Sequence, residues 1–420
     1  MQLGKLIKYH RTRQGITQKE LANGICSISY LSKIENGSIT PNNDVIKLIT
    51  SRLNISIQKD NDNNDEIKEK IFYWYRLIKE RDKEKAKQKW KELENIYYTT
   101  SNLEAKQLLA VMKFIYEITF NNINQVKETY EKVKEAKSLF DNETLYYFYK
   151  FESLYFYYLN DLNAALVSLK QCEKIYDKID LIDYDLYYNL SFFYKKTYQM
   201  QKSNYYAYTL LTLAQKNINI KFIINANMIL AANYIRLGEY NSAEEILLKL
   251  KENVERNNVQ ITALIHHNLG YIYYQWNNLD KALNHLETAL EYHINEFDKI
   301  DTLFILALVY NAKGNKDKLD IIISKGKQLA NKLNYKKFIY KFYILEKKIA
   351  KKTLDLSFIS KLEKEIVPYF EESGEKNELM RHLKLLGDIY YQRRQYKNSA
   401  EYYSRTHHLY TNTFRIEDFI

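Results

Sequence analysis

A chain of 420 residues with only two prolines and ten glycines cannot supply the turn residues that a sheet-rich fold needs roughly every 8–12 positions, so an all-α fold is expected. Apolar residues make up 46% of it, enough for a sizeable core, yet no window approaches about 18 consecutive apolar residues, which excludes a membrane span. The net charge of +11 is concentrated at the start: residues 1–60 hold nine Lys/Arg against four Asp/Glu, the footprint of a polyanionic partner.

In chain order, Leu3, Leu6 and Ile7 have helical spacing in a first segment that runs to Arg13 and is closed by Gly15. Thr17 with Glu20 three residues later is a capping box that opens a second helix, Gln18 to Asn23, and Gly24 makes the turn. Ser27 caps a third helix, Ile28 to Glu35, closed by Asn36-Gly37. Pro41 precedes a fourth, Asp44 to Leu53. Short helix, turn and short helix in a basic domain is the helix-turn-helix layout.

The residues Gly15-Ile-Thr-Gln-Lys-Glu-Leu-Ala22 and Ser27-Ile-Ser-Tyr-Leu-Ser-Lys-Ile-Glu-Asn-Gly37 resemble the Cro/phage-repressor (XRE-type) helix-turn-helix family. The resemblance implies that Gln18 touches a DNA phosphate. It places Ser27, Ser29, Tyr30 and Lys33 on the face of the third helix that enters the major groove. Lys33 would donate to guanine acceptors and Ser29 would read either a donor or an acceptor. Asn36 and Ser38 would contact the backbone from the following loop. Arg11 and Glu35 match a pair that forms a buried, structural salt bridge in this family.

Gln58-Lys-Asp-Asn-Asp-Asn-Asn-Asp65 is polar and free of apolar residues, and reads as a linker. The expected division is a DNA-binding domain at 1–57, a linker at 58–66 and a second domain at 67–420. Two of the 40 tyrosines precede the linker. A typical tyrosine here is expected in a helical core with its hydroxyl at the edge.

The second domain repeats. Ala231 is followed by Tyr234, Gly238 and Ala243; then come Gly270, Tyr273, Asn277, Ala282; then Ala307, Tyr310, Gly314, Leu319; and late in the chain Gly387, Tyr390, Arg394, Ser399. Ser153, Phe156, Asn160, Ala165 and Ser191, Tyr194, Tyr198, Ser203 fit more loosely. The last marker recurs at Ala165, Ser203, Ala243, Ala282 and Leu319, with spacings of 38, 40, 39 and 37. Extrapolation reaches Val126 and Ala86 backwards, and Ser399 forwards across a degenerate unit at 338–372. A fixed period of this length means stacked helix pairs. The pattern resembles tetratricopeptide repeats, and about nine pairs forming an α-solenoid are expected between Ile67 and Thr413.

Joined to the helix-turn-helix, such an array resembles the RRNPP family of Gram-positive peptide-pheromone receptors. That resemblance implies a quorum-sensing transcription regulator whose partners are double-stranded operator DNA, a short signalling peptide and a second copy in a homodimer. An alternative within the family is a repeat protein that sequesters or dephosphorylates a sporulation response regulator. The repeat register turns Tyr147, Lys150, Tyr157, Tyr188, Lys195, Asn225, Met228, His267, Tyr271, Phe304, Asn311, Arg381 and Lys384 inward, onto a groove suited to an extended peptide. Asn225, Asn227, Asn268 and Asn311 are candidate clamps on the peptide backbone, because an amide side chain pairs with N–H and C=O together.

Catalytic motifs are absent: there is no phosphate loop, dinucleotide loop or zinc-protease helix. His266-His267 and His407-His408 are adjacent and do not share a helix face. No catalytic residue, metal or cofactor is expected. Two distant cysteines, Cys26 and Cys172, make no disulfide framework, and no apolar stretch of about 7–15 residues follows Met1. A cytoplasmic location is the expectation.

Overall fold

The computed structural model describes residues 2–53, 64–100, 102–121, 123–254, 258–293 and 295–414. The expected linker at 58–66 lies outside the described residues as far as 63. Every regular element among the described residues is helical, and none is long and apolar enough to cross a membrane. The chain divides into two compact units, Met1–Asn189 and Leu190–Ile420.

The first unit opens with α1 (Gln2–Arg13), α2 (Gln18–Ala22), α3 (Ile28–Glu35) and α4 (Asn43–Arg52). Ile7, Leu21, Ala22, Leu31, Ile34, Ile49 and Leu53 are buried together as their common core. Gly4 lets α1 cross α3, since a Cβ there would stand 1.9 Å from the Ile34 carbonyl oxygen. α4 starts one residue earlier than its sequence suggests, because Asn42 rather than Asn43 caps it, accepting from the Val45 N–H at 2.9 Å.

Then follow α5 (Asn64–Lys79), α6 (Lys83–Thr99), α7 (Leu103–Phe120), α8 (Lys127–Glu135), α9 (Asn142–Tyr158) and α10 (Leu162–Tyr176). The helix α11 (Tyr184–Lys196) runs on into the second unit. Trp74 of α5 is fully buried, stacks on Trp90 at 4.9 Å and donates to the Ala86 carbonyl at 2.9 Å.

The second unit continues with α12 (Met200–Lys216), α13 (Ile220–Leu237), α14 (Tyr240–Asn253), α15 (Val259–Gln275) and α16 (Leu279–Tyr292). It closes with α17 (Glu296–Ala312), α18 (Lys316–Lys332), α19 (Lys336–Ile349), α20 (Leu356–Lys361), α21 (Val367–Glu372), α22 (Lys376–Gln392) and α23 (Tyr396–Phe414). Counting α20 and α21 as one helix interrupted by a π turn at Leu362–Ile366, α5 to α23 make nine pairs among the described residues.

The repeat markers are explained by burial and backbone angle. Ala86, Val126, Ala165, Ser203, Ala243 and Ala282 are fully buried, and Leu319 and Ser399 nearly so. A Cβ on Gly270 would stand 2.6 Å from the Leu286 side chain, and one on Gly387 2.7 Å from the Tyr403 ring. Where the small residue is serine, its hydroxyl bonds across the pair: Ser203 Oγ donates to the Ser191 carbonyl at 2.7 Å and Ser399 Oγ to the Gly387 carbonyl at 2.9 Å. The turn marker is left-handed in every repeat that carries one, whatever its side chain: Asn160, Tyr198, Gly238, Asn277, Gly314 and Arg394 have φ between +56° and +79°. Three of the marker tyrosines carry their hydroxyls to a glutamate of the preceding pair, while Tyr234 meets the Tyr208 hydroxyl at 2.8 Å. Tyr273 donates to Glu244 at 2.6 Å, Tyr310 to Glu287 at 2.7 Å and Tyr390 to Glu363 at 2.7 Å. Burial and the adjacent carboxylate push all three phenols up to about 12.

The second unit also holds half-buried histidines. His266 and His285 stand ring to ring at 4.9 Å. Thr302 Oγ1 lies 2.7 Å from His267 Nδ1 and 2.8 Å from His293 Nε2. Burial pushes His266, His285 and His293 down to about 4.

Two outcomes follow from this packing. Nothing lies within 4 Å of a Cβ added to Gly238, so Gly238→Ala tests the backbone alone and should lower stability by about 1–2 kcal/mol in urea unfolding. The histidines are depressed in the folded state, so the unfolded chain binds more protons below its ordinary value of about 6.5. Their contribution is present above that pH and is lost as pH falls towards about 4. A His285→Gln variant should therefore lose less stability over that window than the native chain; an unchanged slope would contradict the assignment.

Candidate DNA-reading helix and inward face of the repeats

The helix α3 is fixed at both ends. Ser27 Oγ accepts from the Tyr30 N–H at 3.1 Å. At the other end Gly37, at φ +70°, lets its own N–H reach Ile34 O at 3.0 Å and the Ser38 N–H reach Lys33 O at 2.9 Å, a left-handed cap with two bonds. Leu31 and Ile34 anchor the inner face. Ser27, Ser29 and Lys33 are exposed on the outer face, and Asn36 and Ser38 are exposed in the loop that follows. Tyr30 is half-buried and packs on the domain core.

Glu35 ties α3 to the rest of the bundle. Arg11 donates to it twice, Nε to Oε1 at 2.6 Å and Nη2 to Oε2 at 3.0 Å, and its Nη1 also donates to Ile16 O at 3.0 Å. A buried carboxylate needs such a fork to offset the loss of water, and Glu35 is only 3% exposed. Gln18, assigned by resemblance to a phosphate, has one amide N–H committed elsewhere: Nε2 donates to Glu35 Oε2 at 2.8 Å.

In the first unit, the inward positions of α9 are not open. Phe72 and Tyr75 of α5 cover Tyr147, with ring centroids at 5.6 and 5.7 Å, and Tyr75 also meets Phe151 at 5.4 Å. Tyr147 and Lys150 are 4% and 3% exposed, so the expectation that they line a groove is corrected. Lys150 pairs instead with Asp183 and, at 3.4 Å, with Asp185, which Lys79 also reaches at 2.5 Å. Burial alone would push the Lys150 ammonium down, but Asp183, Tyr75 and Asp185 together hold it well above the ordinary lysine range. Tyr157 and Tyr188 of this unit are half-buried.

In the second unit the remaining inward residues are placed as follows. Asn225, Asn227, Met228, His267, Asn268, Tyr271 and Phe304 are half-buried, while Asn311, Arg381 and Lys384 are exposed. Two of the four asparagine clamps are turned onto their own helices: Asn227 Nδ2 donates to Ile223 O at 2.9 Å and Asn268 Nδ2 to Leu264 O at 2.8 Å. Each keeps its oxygen and a second N–H for other partners. Burial and the Tyr240 phenol push the Tyr271 phenol on α15 up, and Arg381 of α22 opposes them.

Residues beyond the sequence reading also stand on this face. Lys341 lies over the Phe304 and Phe338 rings at 4.2 and 4.6 Å, and between Asp301 at 3.9 Å and Glu378 at 3.8 Å. Lys196 and Arg236 join Lys195 at the other end. Burial, Arg236 and Lys196 together push the Lys195 ammonium down to about 8. The sequence carries a signal for this cluster: Lys195-Lys196 and Ile235-Arg236 occupy the same place in successive repeats.

A family model described as helix-turn-helix matches residues 7–59, and one described as tetratricopeptide repeat matches residues 222–293. Transcriptional activator NprA of Geobacillus stearothermophilus is 24% identical over 409 residues, covering 94% of this chain and 100% of the relative. Response regulator aspartate phosphatase I of Bacillus subtilis (strain 168) is 27% identical over 315 residues, covering 70% of this chain and 78% of the relative. The quorum sensor NprR from B. thuringiensis has the same fold. Its apo form superposes with a TM-score of 0.68 at 19% identity, over 83% of this chain and 99% of that one. Its complex with the cognate peptide NprX gives 0.63 at 19% identity, over 84% and 100%. A helix-turn-helix domain joined to a tetratricopeptide-type array, with likeness to NprA along nearly the whole chain, supports the resemblance to RRNPP-type regulators.

Proposed function

We propose that the chain is a quorum-sensing transcription regulator that binds operator DNA through α3 and is switched by a short signalling peptide held on the inward face of the repeats. The observation that carries this reading is the exposed polar face of Ser27, Ser29 and Lys33 on a helix capped at both ends and locked by Arg11–Glu35. Rigid presentation of a few polar side chains is what base readout requires. Ser29 and Lys33 then meet base edges, with Tyr30 beside them, while Gln18, Ser27, Asn36 and Ser38 hold the backbone. The relatives point the same way, one being named a transcriptional activator and another a quorum sensor solved with its peptide.

A homodimer places two copies of α3 on half-sites about 34 Å apart. Tyr157, Tyr188, Lys195, Asn225, Met228, His267, Tyr271, Phe304 and Asn311 supply the peptide contacts, with Arg381 and Lys384 towards the far end. In the second unit each helix pair packs chiefly on its neighbours, so a bound peptide acts by changing the small rotation from pair to pair. The summed change alters how two protomers meet, and with it the spacing of their DNA-binding domains. Operator DNA and an imported peptide meet in the cytoplasm, where this reading puts the protein.

Likeness to a response regulator aspartate phosphatase over 70% of the chain supports a second reading, in which the repeats bind a response regulator and sequester or dephosphorylate it. Capture of a response regulator, with or without faster loss of its phosphoryl group, tests it.

Operators selected from random duplex DNA should be bound about 1–3 kcal/mol more weakly by Lys33→Ala, with relaxed preference at one base pair. Equal affinity and equal preference for both proteins would remove α3 from the interface. The solution mass of the protein on the selected operator should be that of two chains.

A further inference from the structure

We propose that Lys195, Lys196 and Arg236 form an anion site that receives a carboxylate of the signalling peptide, an inference that rests on the peptide-receptor reading above. The three cations come from two successive repeats and are gathered deliberately. Arg236 Nη1 donates to the Lys195 carbonyl at 2.9 Å, which ties the guanidinium of α13 to the end of α11. The guanidinium lies over the Tyr198 ring at 5.6 Å, and the Lys195 and Lys196 ammonium groups lie over the Phe192 ring at 5.6 and 5.4 Å. The aromatic faces hold the stems and leave the charges to act together.

What singles the cluster out is the shortage of counter-charge: Glu375 favours the Lys196 ammonium only from beyond ion-pair distance and is already paired with Lys337. Among the described residues none of the three forms an ion pair with a carboxylate, whereas other cations of the inward face do. Lys337 pairs with Glu375 at 2.5 Å, Arg381 with Glu378 at 3.3 Å and Lys384 with Asp388 at 2.9 Å. The end of a helix favours one or two lysines through its carbonyls, which accounts for Lys195 and Lys196 at the close of α11. It does not account for a third cation brought to the same place from the next repeat.

Lys196 and Arg236 are open to water, yet each is crowded enough by the surrounding walls that lost hydration pushes its charge down. Like charges, partly desolvated and unpaired, are held in a state that an arriving carboxylate relieves. Arg236 has one of its five N–H groups on Lys195 O, which leaves donors for a carboxylate fork. A peptide offers a carboxylate at its C-terminus or on an Asp or Glu side chain.

The test uses the full chain and four synthetic heptapeptide libraries: one unrestricted, one amidated at the C-terminus, one without Asp and Glu, and one with both changes. Captured peptides are read by mass spectrometry, and affinities are measured for the hits. Peptides with a carboxylate should be captured, and those of the fourth library should bind about tenfold or more weakly. Loss confined to the amidated library assigns the C-terminal carboxylate; loss confined to the library without acids assigns a side chain. A Lys195→Gln, Arg236→Gln variant with an unchanged melting temperature should erase the preference. Arg236→Glu should shift capture towards peptides of the fourth library. Equal capture from all four libraries, with the variants unchanged, overturns the anion site and leaves the peptide-receptor reading standing. No capture from any library overturns both.

Discussion

Two antiparallel helices can touch along their length only if the residue at the point of closest approach is too small to hold them apart. The repeats depend on that constraint. Ala86, Ala165, Ser203, Ala243 and Ala282 are fully buried at this point, and at Gly270 and Gly387 even a methyl group would collide with Leu286 or Tyr403. Once the backbones are this close, the connection must reverse direction within a few residues, and a left-handed residue does so with the fewest atoms. Glycine takes that conformation without strain, but Tyr198 and Arg394 take it too, which shows that close packing overrides local preference. The energetic logic runs from packing to turn, not the reverse.

Close pairs leave a second problem, which is how one pair holds the next. Leucine and alanine would bury area without fixing an angle. Tyrosine does both: its ring fills the space between pairs, and its hydroxyl reaches a glutamate on the neighbour. Tyr273, Tyr310 and Tyr390 repeat the device along the second unit, and Tyr130 makes the same kind of bond to Glu152 in the first, at 3.0 Å. A bond between a phenol in the core and a carboxylate is charge-assisted and directional. The angle between pairs is thereby set by many modest interactions, each of which can adjust.

The period, the nine pairs and the caps of the first domain were legible because each is written in local spacing. Ser27, Gly37 and the capping box act within a few residues of themselves, and a marker such as Ala243 keeps one distance from its partner whatever surrounds it. The degenerate unit at 338–372 was legible only as a gap. Its left-handed turn residue is Lys351, and Ile344 and Lys347 stand where other repeats carry a small residue and an aromatic; a π turn at Leu362–Ile366 then interrupts its second helix. The closure of the first unit was not legible at all. Phe72 and Tyr75 look like any aromatic stripe, and only the fold shows that they lie over Tyr147 and Phe151. The asparagines were legible only in part, for a related reason. Position on a helix says where Asn227 and Asn268 point, but the choice between a ligand and the carbonyl one turn back is made by the side chain itself.

These differences bear on how signal and output are joined in one chain. The first domain is built to resist change, with Glu35 holding Arg11 and Gln18 through both carboxylate oxygens. The inward face of the second unit is built the other way. Lys341 stands at 3.8–3.9 Å from carboxylates on α17 and α22, at the outer limit of an ion pair, with two aromatic rings beneath it. Such contacts rearrange at small cost because no single one is short. A ligand that supplies its own charges and backbone groups to this face competes with them directly. A rigid reading head and a yielding inner face are what the proposed ligand-switched regulator needs: a ligand that rearranges the inner face would leave the reading helix undeformed.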